Sequence, residues 1–244
     1  MKLALLSLFA GSAAAFAPAQ NAKTSTALNA ALATKEDLMA LAEKSNPVLK
    51  YYDPLELATT TIWGETNEAT IAFLRHAEIK HGRVAMAAFV GYIVQSNGIH
   101  WPFPISTDGT PYPFAAGSPP EQWDALSDSA KWQIILFVGF LEWFSESAGD
   151  HYMRGGKPGA FPKFSDHPEL IPHPVPLNLF DPFGFSGGKS EEAKAEGLVK
   201  ELNNGRLAQI GIIGFLAEQK VEGSVPLLKG LVSHYDGEPM APFG

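Results

Sequence analysis

Sixteen residues of this chain recur in altered form later in the sequence, and the recurrence limits the fold more than any other feature. Ala77 to Tyr92 (AEIKHGRVAMAAFVGY) aligns with Lys200 to Phe215 (KELNNGRLAQIGIIGF) with five identities: Glu78/Glu201, Gly82/Gly205, Arg83/Arg206, Ala85/Ala208 and Gly91/Gly214. An aromatic-Asp-Pro loop precedes each copy, Tyr52-Asp53-Pro54-Leu55 before the first and Phe180-Asp181-Pro182-Phe183 before the second. A loop-plus-helix unit present twice predicts two helices crossed about a pseudo-twofold, with a further helix to one side.

Residues five apart on a helix point about 140° from each other, so Glu78 cannot pair well with Arg83, nor Glu201 with Arg206. A twofold crossing supplies the partners instead, Glu78 with Arg206 and Glu201 with Arg83. Small residues at spacing three (Gly82, Ala85, Ala88 and Gly91 in one copy, Gly205, Ala208, Gly211 and Gly214 in the other) are expected to let the backbones approach. His81 and Asn204 stand three residues after the glutamates, one turn along. Each offers a neutral lone pair, a donor suited to one open position of a metal.

Pro- and Gly-rich stretches from Ile99 to Pro120 and from Gly155 to Gly188 separate three predicted helices. These run from Thr66 to Ser96, Asp128 to Ala148 and Glu191 to Val221, with a weaker fourth near Pro226 to His234. No strand alternation of useful length occurs. The cleanest apolar runs, Val84 to Ile93, Ile134 to Leu141 and Leu207 to Ala217, fall short of the roughly 18 residues of a plain transmembrane helix. Hydropathy therefore leaves a soluble helical core and a membrane protein both open. Residues 1–33 read as a targeting segment: Lys2, an apolar stretch, then Ala14-Ala15-Phe16-Ala17-Pro18 and a Ser/Thr/Ala-rich continuation, with an ordinary secretory signal as the alternative. The rest, 34–244, forms one domain. The absence of cysteine excludes disulfides, zinc-thiolate and iron–sulfur sites, and a net charge of −8 without a Lys/Arg block excludes a nucleic-acid footprint. No phosphate loop, nucleophile elbow or H-E-x-x-H motif is present, so no enzyme is expected.

The paired motifs E-x-x-H-x-R and E-x-x-N-x-R, each behind an aromatic-Asp-Pro loop, resemble the light-harvesting complex superfamily. The wording EIKHGR and ELNNGR is similar to its chlorophyll a/c branch, of the fucoxanthin- or peridinin-binding type. The resemblance implies an all-α membrane protein with three transmembrane helices, the first and third crossed, and a short amphipathic C-terminal helix. It implies that Glu78, His81, Glu201 and Asn204 are axial ligands to chlorophyll magnesium, with Arg83 and Arg206 completing intramembrane ion pairs. It gives the loops at Asp53 and Asp181 the head groups of two central carotenoids. On the middle helix Glu142 aligns with a ligand, while Gln133 falls one residue out of register with another. Glu218 stands where the family commonly has Gln or His, and His234 resembles the histidine of the terminal helix. Implied cofactors are chlorophyll a, chlorophyll c and a xanthophyll of fucoxanthin or peridinin type, with a diadinoxanthin-like carotenoid as a further candidate. Implied partners are thylakoid lipids, a photosystem core and neighbouring antenna proteins, in the plastid thylakoid membrane. A photoprotective, energy-quenching relative and a pigment-free helical membrane protein remain as rivals. His76, His100, His151, His167 and His173 read as ordinary surface or core residues, and Glu146 as solvated.

Overall fold

Short polar residues start the helices. In the computed structural model, which describes residues 34–107, 109–113, 117–171, 178–185, 187–239 and 241–243, Thr34 and Asp37 form a reciprocal capping box that opens α1 (Lys35–Ser45). The Thr66 hydroxyl accepts from the Ala69 amide at 3.2 Å, at the start of α2 (Asn67–Ser96). Ser118 and Glu121 make a second box ahead of α3 (Pro119–Asp124). Ser127 and Ser190 accept from the Ala130 and Ala193 amides where α4 (Asp128–Ser147) and α5 (Glu191–Lys220) begin. Glycines in the left-handed region close two of them, Gly98 (φ 71°) after α2 and Gly149 (φ 77°) after α4. The targeting segment expected over residues 1–33 lies outside the described residues.

Every regular element among the described residues is helical, and the three long helices sit where the sequence predicts them to within one residue at each end. Two short helices were not expected. α1 adjoins the segment read as a targeting sequence, although Thr34-Lys35-Glu36-Asp37 carries its capping signal, and α3 starts at the end of the Pro/Gly-rich stretch and runs into the residues before α4. The terminal amphipathic helix is a correction: Pro226–Leu228 is a single 3-10 turn, and the chain then turns at Gly230 with φ 74°. A proline at the start and a left-handed glycine four residues on leave no room for a helix to propagate.

At 30 residues each, α2 and α5 are about 45 Å long, enough to cross a bilayer. Yet no helix among the described residues is both long and apolar enough to do so. The charged residues inside α2 and α5 cause the shortfall. On α4, Trp132, Leu136, Phe137, Val138 and Trp143 are all exposed, as are Val84 and Val90 on α2 and Ile210 and Ile213 on α5.

The described residues cluster in two compact units, one drawn from residues 34–83 and 139–205, the other from residues 84–138 and 206–243. In the first, α2 and α5 touch backbone to backbone: a Cβ added to Gly205 would lie 2.9 Å from the Gly82 Cα, and one added to Gly82 would lie 3.1 Å from the Gly205 Cα. α1 lies along the same stretch of α5, with Leu41 buried against Ala195 and Leu202, and the Asn203 amide donating to the Ser45 carbonyl at 3.0 Å. In the second unit, Tyr92, Ile93 and Phe215 form the core, and a Cβ on Gly211 would meet the Phe89 ring at 2.6 Å. The small-residue stripe is thus used unevenly: Ala85 and Ala208 are buried, while Gly91 and Gly214 have open space where a Cβ would go.

These contrasts separate packing from helix propensity. Gly205→Leu should destabilise the protein by about 1–3 kcal/mol or more through overpacking. Gly214→Ala should instead stabilise it by up to about 1 kcal/mol, the helix propensity difference. Thermal unfolding followed by circular dichroism distinguishes the two; equal effects would mean that the Gly82–Gly205 approach does not exist in solution.

Candidate functional site

The backbone contact at Gly82 and Gly205 brings the next residue of α2 beside a carboxylate of α5. Arg83 Nε donates to Glu201 Oε1 at 2.5 Å, one of the two pairs that the repeat predicts. A second arm of the same guanidinium, Nη1, donates to the carbonyl of Gly159, in the segment between α4 and α5. Glu201 is thereby neutralised through one oxygen, and its side chain stays 29% exposed. Glu78 bonds to Arg75 one turn earlier on α2, a neighbour that the sequence reading did not name.

His81 is exposed on α2, and its Nδ1 lies 2.7 Å from the Ala77 carbonyl. A carbonyl only accepts, so Nδ1 carries the proton and Nε2 keeps the lone pair. The ring is therefore oriented and set in the tautomer that a metal ligand needs. Asn204, at the matching position on α5, is also exposed, and its side chain makes no hydrogen bond with the described residues. Among the described residues no group of three or more His, Asp or Glu side chains is placed to hold a metal ion between them. Each donor here offers a single bond, as the axial position of a chlorin magnesium requires, and neutral donors and neutralised carboxylates are the types that fit it in apolar surroundings.

On α4, Glu142 Oε2 accepts from Lys80 Nζ of α2 at 2.6 Å, and its side chain is 52% exposed. Glu146, one turn on, is exposed, as the sequence reading expected, but it is also held by its neighbours. It accepts from His151 Nε2 at 3.0 Å and from the Tyr152 hydroxyl at 3.1 Å, with Lys80 Nζ at 3.5 Å. His76, read from sequence as unremarkable, is buried; its Nδ1 accepts from the Gly159 amide at 3.1 Å and its ring stacks on Tyr152 at 3.9 Å. Sequence reasoning missed this cluster because its members lie far apart in the chain and repeat nothing.

The remaining candidates divide. The Gln133 amide nitrogen donates to the Ser129 carbonyl at the start of α4 at 3.2 Å, and the residue is exposed. Arg206 is exposed on α5 immediately after Gly205. Glu218 is neither at a solvated edge nor open to a ligand in the way the sequence reading weighed. It is buried, and its oxygens accept from the amides of Gly223 at 2.9 Å and Val225 at 2.7 Å, closing the turn after α5. His234 lies outside any helix, and its Nε2 contacts Asp236 at 2.8 Å. Asp53 is committed to its own loop, accepting from the Leu57 and Ala58 amides at 3.0 and 2.9 Å and from the Tyr51 hydroxyl at 3.0 Å. Asp181, in the second Asp-Pro loop, has a positive φ of 50°.

A family model described as chlorophyll A-B binding protein matches residues 39–220. Among curated proteins, the fucoxanthin-chlorophyll a-c binding protein, chloroplastic, of Trieres chinensis is 38% identical over 233 residues, covering 93% of this chain and 98% of its own. Fucoxanthin-chlorophyll a-c binding protein F of Phaeodactylum tricornutum is 36% identical over 228 residues, covering 91% and 96%. Protein B of that name from Macrocystis pyrifera is 30% identical over 188 residues, covering 75% and 74%.

Two outcomes follow from the site's electrostatics. Arg83→Leu strands a half-buried carboxylate, at about 1–3 kcal/mol, and a double-mutant cycle with Glu201→Leu should return a coupling of similar size. Thermal unfolding of the four proteins measures it, and zero coupling would dissolve the pair. At Asp53, the Ala58 amide above all, with the Leu57 amide and Tyr51 hydroxyl, holds the carboxyl below its ordinary range. The folded group titrates below the unfolded one, so its stabilisation is complete above the unfolded value of about 3.9 and is lost as pH falls through the folded value. The Leu57 and Ala58 amide shifts in an NMR pH titration should report a midpoint below 3.9, and Asp53→Asn should abolish the transition.

Proposed function

The chain belongs to the chlorophyll A-B binding protein family, and from that membership we propose that it is an antenna holding chlorophyll a, chlorophyll c and a fucoxanthin-type carotenoid in the thylakoid membrane. It is a light-harvesting, pigment-binding protein and not an enzyme. Bound chlorophylls absorb light and pass the excitation on; what the polypeptide contributes is position and the exclusion of water. α2, α4 and α5 are the spanning helices in this reading, with α2 and α5 crossed about the pseudo-twofold of the repeat. Residues 1–33 serve as the plastid-targeting presequence and 34–244 as the working domain. Lipid covers the exposed apolar side chains of α4 together with pigment, and a photosystem core and neighbouring antenna proteins receive the energy.

The observation that carries the proposal is the pair of donors in the repeat. His81 presents Nε2 because Nδ1 is held by Ala77, and Asn204 presents an uncharged oxygen from the equivalent position. His81, Asn204, Glu201 and Glu142 hold chlorophyll magnesium, with Glu78 a further ligand and Gln133 a candidate. The charges that keep the helices from reading as plain spans support a bilayer setting through their pairing. One unpaired charge at bilayer centre costs about 2.5–3.5 kcal/mol on insertion scales, and Arg83 with Glu201, Lys80 with Glu142 and Arg75 with Glu78 are joined.

The purified protein should absorb in the red and blue bands of chlorophyll and in the blue-green of a carotenoid. His81→Leu should lower the chlorophyll content by about one per complex while retaining helix content by circular dichroism. Pigment extraction and stoichiometry measure this, and an unchanged content would remove His81 from the ligand set. N-terminal sequencing of protein isolated from the membrane should begin at Phe16 or beyond; retention of Met1 would end the presequence reading.

A further inference from the structure

Lys80 sits between Glu78 and His81 in the repeat, but its counterpart in the second copy is Asn203, so the twofold pattern does not account for it. Its ammonium reaches α4 instead, lying 2.6 Å from Glu142 Oε2 and 3.5 Å from Glu146 Oε1. Two carboxylates one turn apart share one cation, and their surroundings differ. Glu146 is fixed through one oxygen: His151 Nε2 and the Tyr152 hydroxyl both donate to its Oε2, while buried His76 places Nε2 3.9 Å from its Oε1. The rings that hold it are themselves fixed, His76 stacked on Tyr152 at 3.9 Å and His151 against the same ring at 4.2 Å. Glu142 has Lys80 as its one hydrogen-bond partner among the described residues, its side chain is half exposed, and Oε1 is left open.

We propose that Lys80 is a positioning residue for the chlorophyll at Glu142, with Glu146 as the anchor that holds the ammonium; the inference rests on the reading of Glu142 as a magnesium ligand. A bare charged carboxylate next to pigment and lipid draws in water. A carboxylate paired through Oε2 does not, and it presents Oε1 in a fixed direction. Glu146 makes this work because a lysine on a flexible four-carbon stem is a poor orienting group unless its head is held from a second side. The cluster of His76, His151 and Tyr152, which no proposed ligand set includes, thereby acquires a role.

The test is reconstitution of the full chain with chlorophylls and carotenoid, read as pigment stoichiometry and as visible circular dichroism. Glu142→Leu should lose one chlorophyll per complex, and Lys80→Met should lose the same one, with the same missing feature in the dichroism. Glu142→Gln, whose amide oxygen is a neutral donor, should keep that chlorophyll, and Lys80→Met with Glu142→Gln should regain it. Glu146→Gln, which loosens the ammonium without removing it, should lower occupancy at least twofold and be restored by Glu142→Gln. A full complement in Glu142→Leu overturns the reading of Glu142 as a ligand. Loss in Glu142→Leu with full occupancy in Lys80→Met overturns the role of Lys80 and leaves the ligand standing. Failure of Glu142→Gln to restore pigment on either background also overturns it, because Lys80 then acts through the fold rather than through charge. If Lys80→Met does not assemble, the Glu146→Gln series decides by the same criterion.

Discussion

The contact between the Gly82 and Gly205 backbones is the constraint on which the site depends. A side chain at either position would push the helices apart, and the Arg83–Glu201 hydrogen bond of 2.5 Å would be lost with the separation. The same arginine fastens the segment between α4 and α5 through the Gly159 carbonyl, while His76, two turns earlier on α2, takes the Gly159 amide. Gly159 has φ 76°, and a Cβ there would fall 2.7 Å from Ile79, so glycine is required both by conformation and by space. One backbone unit is thus read from both ends by α2.

Charge is handled the same way three times. Each carboxylate on a long helix that is read as a ligand has a cation beside it: Arg75 for Glu78, Arg83 for Glu201, Lys80 for Glu142. Pairing makes the sum neutral without using all of a carboxylate's lone pairs, the condition under which an oxygen can still act as a donor to a hard metal. Glu218 shows the other use of a carboxylate. Its oxygens are spent on backbone amides, and the outcome is a sharply ended α5 and the turn that follows it.

In the second unit the chain after α5 returns to it and to α3. The Tyr235 amide donates to the Gln219 carbonyl at 3.1 Å, the Tyr235 hydroxyl to Asp124 at 2.5 Å, and the Trp123 indole to the Pro242 carbonyl at 3.0 Å. Gln219, almost fully buried, accepts from the Tyr92 hydroxyl and so joins α2 to α5. These are polar ties around a small aromatic core of Tyr92, Phe89 and Phe215. They hold the helix ends where the apolar surface that remains is turned outward.

The sequence by itself determined the three long helices, since their apolar periodicity and flanking Pro/Gly stretches are local properties, and it determined the Arg83–Glu201 partnership, since two members of a repeated motif that cannot meet on one helix can meet across a crossing; that Glu78 takes Arg75 of its own helix was not read from the repeat. His81 and Asn204 were legible for the same reason: each copy identifies the other. What repeats nothing was not legible. α1 carried a capping signal beside the segment read as a targeting sequence, and the turn that closes α5 rests on the Gly223 and Val225 amides donating to Glu218, bonds that no pattern announces. The roles of Lys80, Glu146, His76, His151 and Tyr152 were decided by tertiary structure alone, because distances of a few ångströms between residues up to 76 positions apart arise only when α2 and α4 are set side by side.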